Sequence, residues 1–299
     1  AEWLPYHLPS IGEEEIAEVV DTLRSGWVTT GAKTQRFEQD FARMLGVPEV
    51  LAVASGTAAM HLALIVSGVQ AGDDVIVPTY TFTATAEVVT YVGARPVLAD
   101  VDPVTCNLTA ETLQRVLTPR TRAVMVVHIA GQPCDMDPIL EVARTHGLKV
   151  IEDAAHAFPA RYRERWVGTL GDGAAFSFYA TKNITTAEGG MLVIPDPTAR
   201  ERARILALHG ISRDAWKRYT AAGSWYYEVL ASGHKYNLSD LHASLGLQQL
   251  RKVDRFHAIR RRYVARYEEG LRDLDAFSTP SEVGGTEHAW HLYLLRLRP

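Results

Sequence analysis

Cysteine is nearly absent from this chain: Cys106 and Cys134 are the only two among 299 residues, far apart and without metal-ligand spacing. A reduced, cytosolic protein is the simplest reading. No run of about 18 apolar residues marks a membrane span, and the opening Ala1-Glu2-Trp3-Leu4-Pro5 does not read as a signal peptide. Basic residues are not in excess. With 31 Lys and Arg against 35 Asp and Glu, net charge −4, there is no electrostatic case for nucleic acid as a partner. There is no Ser/Gly linker, no low-complexity segment and no repeat. No G-x-G-x-x-G follows a first strand, which argues against a Rossmann-type dinucleotide site.

What is present is ordinary globular material, 47% hydrophobic and 22% charged, long enough for a large core. Glu13–Leu23 and Lys33–Leu45 carry apolar residues at helical spacing, with Gly26 as a stop after the first. Strand-like and helix-like pieces then alternate. The strands expected are Val50–Ala54, Asp74–Pro78, Arg95–Asp100, Ala123–His128, Lys149–Glu152, Gly173–Phe178 and Gly190–Ile194. The helices expected are Thr57–Ser67, Thr83–Val92 and Pro138–His146. This alternation predicts a doubly wound, mostly parallel sheet with helices on both faces. Tyr236–Val253 is read as a helix opening at Asn237 or Ser239, and Arg255–Leu271 as a long basic-faced helix. His288–Arg298 is read as a strand, and the last hydrophobic pieces as an antiparallel insertion. The organisation expected is residues 1–250 as a large domain and 251–299 as the start of a smaller one. With no initiator methionine and an end one residue after a strand-like run, the chain is expected to be a fragment lacking part of that second domain.

Four places carry chemistry. Ser55-Gly56-Thr57-Ala58-Ala59 follows an apolar run and opens a helix. Small residues there admit an anion to the backbone N–H groups, and Thr57 adds a hydroxyl; a plain helix cap is the alternative. Asp153 ends a strand, at the edge where open α/β sheets bind ligands; a helix-capping carboxylate is the alternative. His156, three residues on, would orient it or lie near a ring. Phe176-Ser-Phe-Tyr-Ala-Thr-Lys-Asn-Ile-Thr-Thr-Ala-Glu-Gly-Gly-Met191 places Lys182 between an apolar run and a glycine-bearing segment. Ser177 is within reach of a phosphate, and Gly189-Gly190 permits close backbone approach. A surface lysine is the alternative. Phe82 follows a strand and would cover a flat ring; a core aromatic, or Tyr80 in the same role, is the alternative. A lysine amine, a buried carboxylate and a phosphate-cradling loop together are what a pyridoxal phosphate (PLP) enzyme needs.

In their order these pieces resemble the DegT/StrS family of sugar-nucleotide aminotransferases, over nearly the whole chain from about Leu8. The motifs are Gly26–Glu38, Ala54–His61, Val77–Thr85, Glu152–Ala157, Phe176–Thr185, His234–Asp240 and His288–Tyr293. The resemblance implies a fold-type I PLP-dependent transferase with a smaller, here truncated, C-terminal domain. It implies Lys182 as the Schiff-base lysine, Asp153 on the pyridine nitrogen, Phe82 stacked on the ring and His156 near the cofactor. Gly56, Thr57 and Ser177 would hold the phosphate, and Lys235 or Asn237 would complete the phosphate site of the neighbouring subunit of a homodimer. Trp27–Gly31 would border the sugar pocket. The implied reaction is ping-pong transfer of an amino group from L-glutamate to a keto sugar nucleotide.

Lys235-Tyr236-Asn237 together with Thr186-Ala187-Glu188 looks closest to enzymes that aminate C4 of a UDP-4-keto pentose, the UDP-4-amino-4-deoxy-L-arabinose branch. Ala187 stands where many members have glycine, and His234 replaces a frequent aromatic. Members that act as sugar dehydratases carry histidine in place of the lysine, so Lys182 argues for transamination. A non-enzymatic regulator retaining the fold is the competing reading from another class.

Overall fold

The computed structural model describes residues 3, 5, 7–212, 227–280 and 282–298. Two helices open the chain, α1 (Glu13–Ser25) and α2 (Ala32–Leu45), each stopped by a glycine in the left-handed region, Gly26 (φ 74°) and Gly46 (φ 71°). Then follow β1 (Leu51–Val53), α3 (Gly56–Val66), β2 (Asp74–Pro78), α4 (Ala84–Tyr91), β3 (Arg95–Ala99), α5 (Ala110–Arg115) and β4 (Thr121–Val127). After a 3₁₀ turn at Ile129–Gly131 come α6 (Met136–His146), β5 (Lys149–Asp153), the short β6 (Arg161–Tyr162) and β7 (Arg165–Trp166), β8 (Gly173–Ser177), β9 (Gly190–Val193) and α7 (Pro197–Leu206). The described chain closes with α8 (Asp240–Leu250), α9 (Val253–Leu271), β10 (Phe277–Ser278), β11 (Thr286–Glu287) and β12 (Arg296–Leu297).

Seven strands form the central sheet in the order β1-β9-β8-β5-β4-β2-β3. β8, β5, β4, β2 and β3 run parallel, and β9 alone is antiparallel to its neighbours β8 and β1. The two-residue period of the strands sorts the core into two faces. Val75, Val77, Met125, Ile151, Ala175 and Leu192 pack with α3, α4 and α7; Ile76, Val124, Val126, Val150, Phe176 and Met191 pack toward α2, α8, α5 and α6. Covered on both sides, the central strands carry short apolar runs, residues 75–77 in β2, 123–127 in β4 and 150–151 in β5. The expected doubly wound α/β architecture is the one observed.

Two local expectations are corrected. Tyr236–Leu238 is not helical. It runs extended beside β1, with Ala54 N–H donating to the Tyr236 carbonyl (2.7 Å) and Asn237 bridging Val53, and α8 begins only after its N-cap Ser239. His288–Arg298 is not one strand. The N–H groups of Ala289, His291 and Leu292 go to the carbonyls of Gly131 and Ala130, Trp290 turns at φ 51°, and pairing resumes only at β12. The 3₁₀ turn supplies acceptors that a straight strand would not reach, and tertiary contact overrides the local β preference. The antiparallel pairing expected near the end is present, as β11 with β6 and β10 with β12.

Candidate active site

The site candidates from the sequence gather at the carboxyl ends of the parallel strands, where an open α/β sheet receives ligands. β5 ends on Asp153, buried beneath the surface. Its Oδ2 accepts from Thr85 Oγ1 (2.7 Å) and its Oδ1 from the Ala155 N–H (3.1 Å). Burial pushes the carboxyl above its ordinary value, opposed by those two hydrogen bonds and by the charge of Lys182.

Lys182 lies in the tight connection between β8 and β9. Phe178 N–H to Gly189 O (2.9 Å) and Thr186 N–H to Phe178 O (2.9 Å) close that loop, and the Lys182 N–H donates to Tyr179 O (2.9 Å). The amine itself has no hydrogen-bond or ion-pair partner among the described residues. Burial lowers its proton affinity, and the field of Asp153 only partly opposes this. A half-buried amine and a buried carboxylate thus sense one another across a space without neutralising one another.

The phosphate candidates are brought together by glycine. A Cβ on Gly190 would lie 2.5 Å from the Ser55 carbonyl carbon, and one on Gly56 would lie 3.0 Å from the Ser177 Cβ. Only without those atoms can the start of α3 rest against the ends of β8 and β9. Ser55 caps α3 through the Ala58 N–H (3.0 Å), so the helix cap weighed as an alternative is real. It leaves the N–H groups of Gly56 and Thr57 without partners among the described residues, beside the Ser177 hydroxyl. Cap and anion cradle are therefore compatible.

Phe82 lies one turn ahead of Thr85, and its ring is 70% exposed, so it is not a core aromatic; Tyr80 is also exposed. His156 accepts the Ala130 N–H at Nδ1 (3.3 Å) and packs on His291 with ring centroids 4.5 Å apart. Burial lowers His156 to about 3, with Lys182 adding to the effect.

Lys235 and Asn237 lie on the extended segment beside β1. Lys235 Nζ donates to Asn237 Oδ1 (2.7 Å), and Asn237 Nδ2 donates to Thr30 Oγ1 (2.6 Å). Within this chain neither hydrogen-bonds Gly56, Thr57, Ser177 or Lys182. Asn237 instead lines a cavity of about 370 Å³ with Thr30, Glu38 and Arg204.

Three residues that sequence reasoning passed over complete the arrangement. Thr85 holds Asp153. Asn183, next to Lys182, ties its loop to His291 (3.1 Å). Glu152, on the opposite strand face from Asp153, accepts the N–H groups of Gly168 (2.8 Å), Leu170 (2.7 Å) and Gly171 (2.8 Å). The available signals were the helical-turn spacing of Thr85 from Phe82 and the position of Asn183 beside the lysine.

The fold and this clustering define a fold-type I PLP-dependent transferase. The residues present fit such a cofactor: an unpartnered half-buried amine, a buried carboxylate short of a cation, and free N–H groups at a helix start. The chain belongs to the DegT/DnrJ/EryC1/StrS aminotransferase family, whose model matches residues 9–299. It is 48% identical over 295 residues to the spore coat polysaccharide biosynthesis protein SpsC of Bacillus subtilis (99% of this chain, 76% of the relative). Among solved structures, the aminotransferase TlmJ from Streptoalloteichus hindustanus superposes with a TM-score of 0.92 at 38% identity, covering 99% of this chain and 79% of that one. A Streptococcus pneumoniae protein solved in its PMP form does so with a TM-score of 0.92 at 34% identity, again over 99% and 79%. Family and relatives support a PLP-dependent sugar aminotransferase. No helix among the described residues is long and apolar enough to cross a membrane.

Proposed function

We propose that this chain transfers an amino group from L-glutamate to a keto sugar nucleotide by a ping-pong route, with PLP held at Lys182. The observation that carries the reading is the pairing of an unpartnered, half-buried Lys182 amine with a buried Asp153 carboxylate at one sheet edge.

When bound, PLP draws electrons from the carbon next to the amino group and stores that group between the two half-reactions. Lys182 Nζ would carry the cofactor at rest. Once freed, the amine would take the proton from the donor's α-carbon and hold it for return; the proton affinity lowered by burial would leave the amine uncharged more readily for that role. Asp153 would keep the ring nitrogen protonated, Phe82 would cover one ring face and neutral His156 would lie beside the ring. The Gly56 and Thr57 N–H groups, with the Thr57 and Ser177 hydroxyls, would bind the phosphate at the positive end of α3.

Lys235 or Asn237 would reach the phosphate site of a second copy in a homodimer, in keeping with the lack of a hydrogen bond from either side chain to Gly56, Thr57, Ser177 or Lys182 in this chain. Trp27–Gly31, whose Thr30 hydroxyl accepts from Asn237, would border the sugar pocket. The reaction would run in the cytosol, in keeping with two free thiols. The relatives named above give the pentose branch no support.

The test is the visible absorbance of the purified chain with PLP, before and after L-glutamate, with Lys182→Ala as control. A band that glutamate bleaches and the folded variant lacks is expected. Normal turnover by Lys182→Ala would sink the assignment.

A further inference from the structure

Behind Asp153 lie two hydrogen-bonded hydroxyls, one buried and one partly buried, that the reaction as described does not use. Thr85 is fully buried, and its Oγ1 lies 2.7 Å from Asp153 Oδ2. Thr81 Oγ1 lies 2.7 Å from the Thr85 hydroxyl. Ala155 N–H is the other donor to the carboxylate, at 3.1 Å. A threonine has one hydroxyl proton. If Thr85 gives it to a charged Asp153, its own oxygen must be supplied by Thr81, and the three groups align as Thr81 to Thr85 to Asp153. Such a chain polarises in one direction and strengthens the terminal bond to an anion.

We propose that Thr85, aligned by Thr81, is a positioning residue that holds Asp153 as an oriented carboxylate toward the ring nitrogen of the bound cofactor. The proposal rests on the PLP reading above. Its physical basis is a competition. Burial favours the neutral acid, and a neutral acid would leave the ring nitrogen without the anion that keeps it protonated. A hydrogen bond from a hydroxyl to the charged form works against burial, and Thr85 is the only side chain among the described residues that makes one. The placement also joins two contacts in one element. The Thr85 N–H donates to the Phe82 carbonyl (3.1 Å), so the turn that anchors the carboxylate is the turn that presents the exposed aromatic.

The experiment loads wild type, Thr85→Val, Thr85→Ser and Thr81→Val with PLP labelled with ¹⁵N in the ring. It follows the nitrogen shift against pH and measures PLP dissociation by equilibrium dialysis. In Thr85→Val the nitrogen is expected to lose its proton at least about one pH unit lower than in wild type, with PLP bound about tenfold more weakly. Thr85→Ser, which keeps the hydroxyl, is expected to restore both, and Thr81→Val to shift the nitrogen in the same direction by less. A Thr85→Val protein whose nitrogen titrates as in wild type would overturn the role, as would a folded Thr85→Ser that restores neither property. If Thr85→Val does not fold, Thr81→Val decides: a shifted nitrogen supports the chain of hydroxyls, and an unshifted one overturns it. Wild type that takes up no PLP would overturn the cofactor reading itself, an outcome distinct from a wild-type nitrogen in the variant.

Discussion

Asn183 and His291 share one proton in a defined place. The Asn183 amide nitrogen donates to the carbonyls of Phe158 (2.9 Å) and Ala289 (2.8 Å), which only accept. Its oxygen must therefore face His291 Nδ1 (3.1 Å), which carries the hydrogen. The residue beside Lys182 thus fastens the lysine's loop to the segment after α9. Arg260 holds that segment from behind through the Trp290 carbonyl (3.0 Å).

Replacing Asn183 with alanine should destabilise the cofactor-free protein by about 2 kcal/mol, since three bonds go and two carbonyls lose their donors. Asn183→Asp should be worse despite changing one atom, because acceptor would face acceptor. Urea unfolding followed by circular dichroism measures both. An aspartate variant no less stable than the alanine one would show the donor assignment to be wrong.

Ala187, where many relatives of this type were expected to have glycine, lies at φ 68°. A residue with a Cβ in the left-handed region costs about 1 kcal/mol or more. Ala187→Gly should therefore raise the urea midpoint, by about 1 kcal/mol in stability and without a change in slope. A lowered midpoint would mean that the turn is not strained.

Acid should unfold this protein earlier than its carboxylates alone dictate. His288 Nδ1 accepts the Trp290 N–H (2.8 Å) and His156 Nδ1 accepts the Ala130 N–H (3.3 Å), so both rings are held neutral. Burial lowers His288 to about 3 and His61 to about 4. The folded state then binds fewer protons than the unfolded one below about pH 6.5, and stability present above that pH is lost as pH falls. Each such histidine contributes up to about 1.4 kcal/mol per pH unit. Between about pH 6.5 and 5, above the range where Asp74 (about 2) titrates, stability should fall with decreasing pH. His288→Asn, whose amide oxygen can still accept from Trp290, should flatten the slope by about one such increment. An unchanged slope would count against a neutral His288.

Asp240 acts as a cap from more than 200 residues away. Its Oδ1 accepts from the N–H groups of Gly31 (2.8 Å) and Thr34 (2.8 Å) and from the Thr34 hydroxyl (2.7 Å), and its Oδ2 accepts from the Lys33 N–H (3.1 Å). The start of α2 has no cap of its own, since Gly31 has no side chain. Asp240→Ala should cost about 2 to 3 kcal/mol. Asp240→Asn should cost less, because one oxygen remains for the Oδ1 partners. Denaturation midpoints of the two variants give the comparison; equal losses would argue against the capping role.

Where apolar periodicity was strong, the chain was legible. β2 was expected and is found at Asp74–Pro78, and α2 differs from expectation by one residue at its start. The surface helix α7 escaped notice although Asp196 caps it and Pro197 opens it, because only Ala203 and Leu206 are buried along it. A helix with two buried residues leaves little period to read.

For the site, sequence alone named the lysine, the carboxylate, the helix start and the serine, because each chemistry demands a residue type next to a strand end or a glycine. It did not reveal that Thr85 would bond Asp153, that Asp240 would cap α2, or that the run from His288 would bend around Ala130 and place His291 against His156. Those are contacts across many tens of residues. Their partners are chosen by which strand ends meet in the sheet and which backbone donors burial leaves unsatisfied, and only the folded chain decides both.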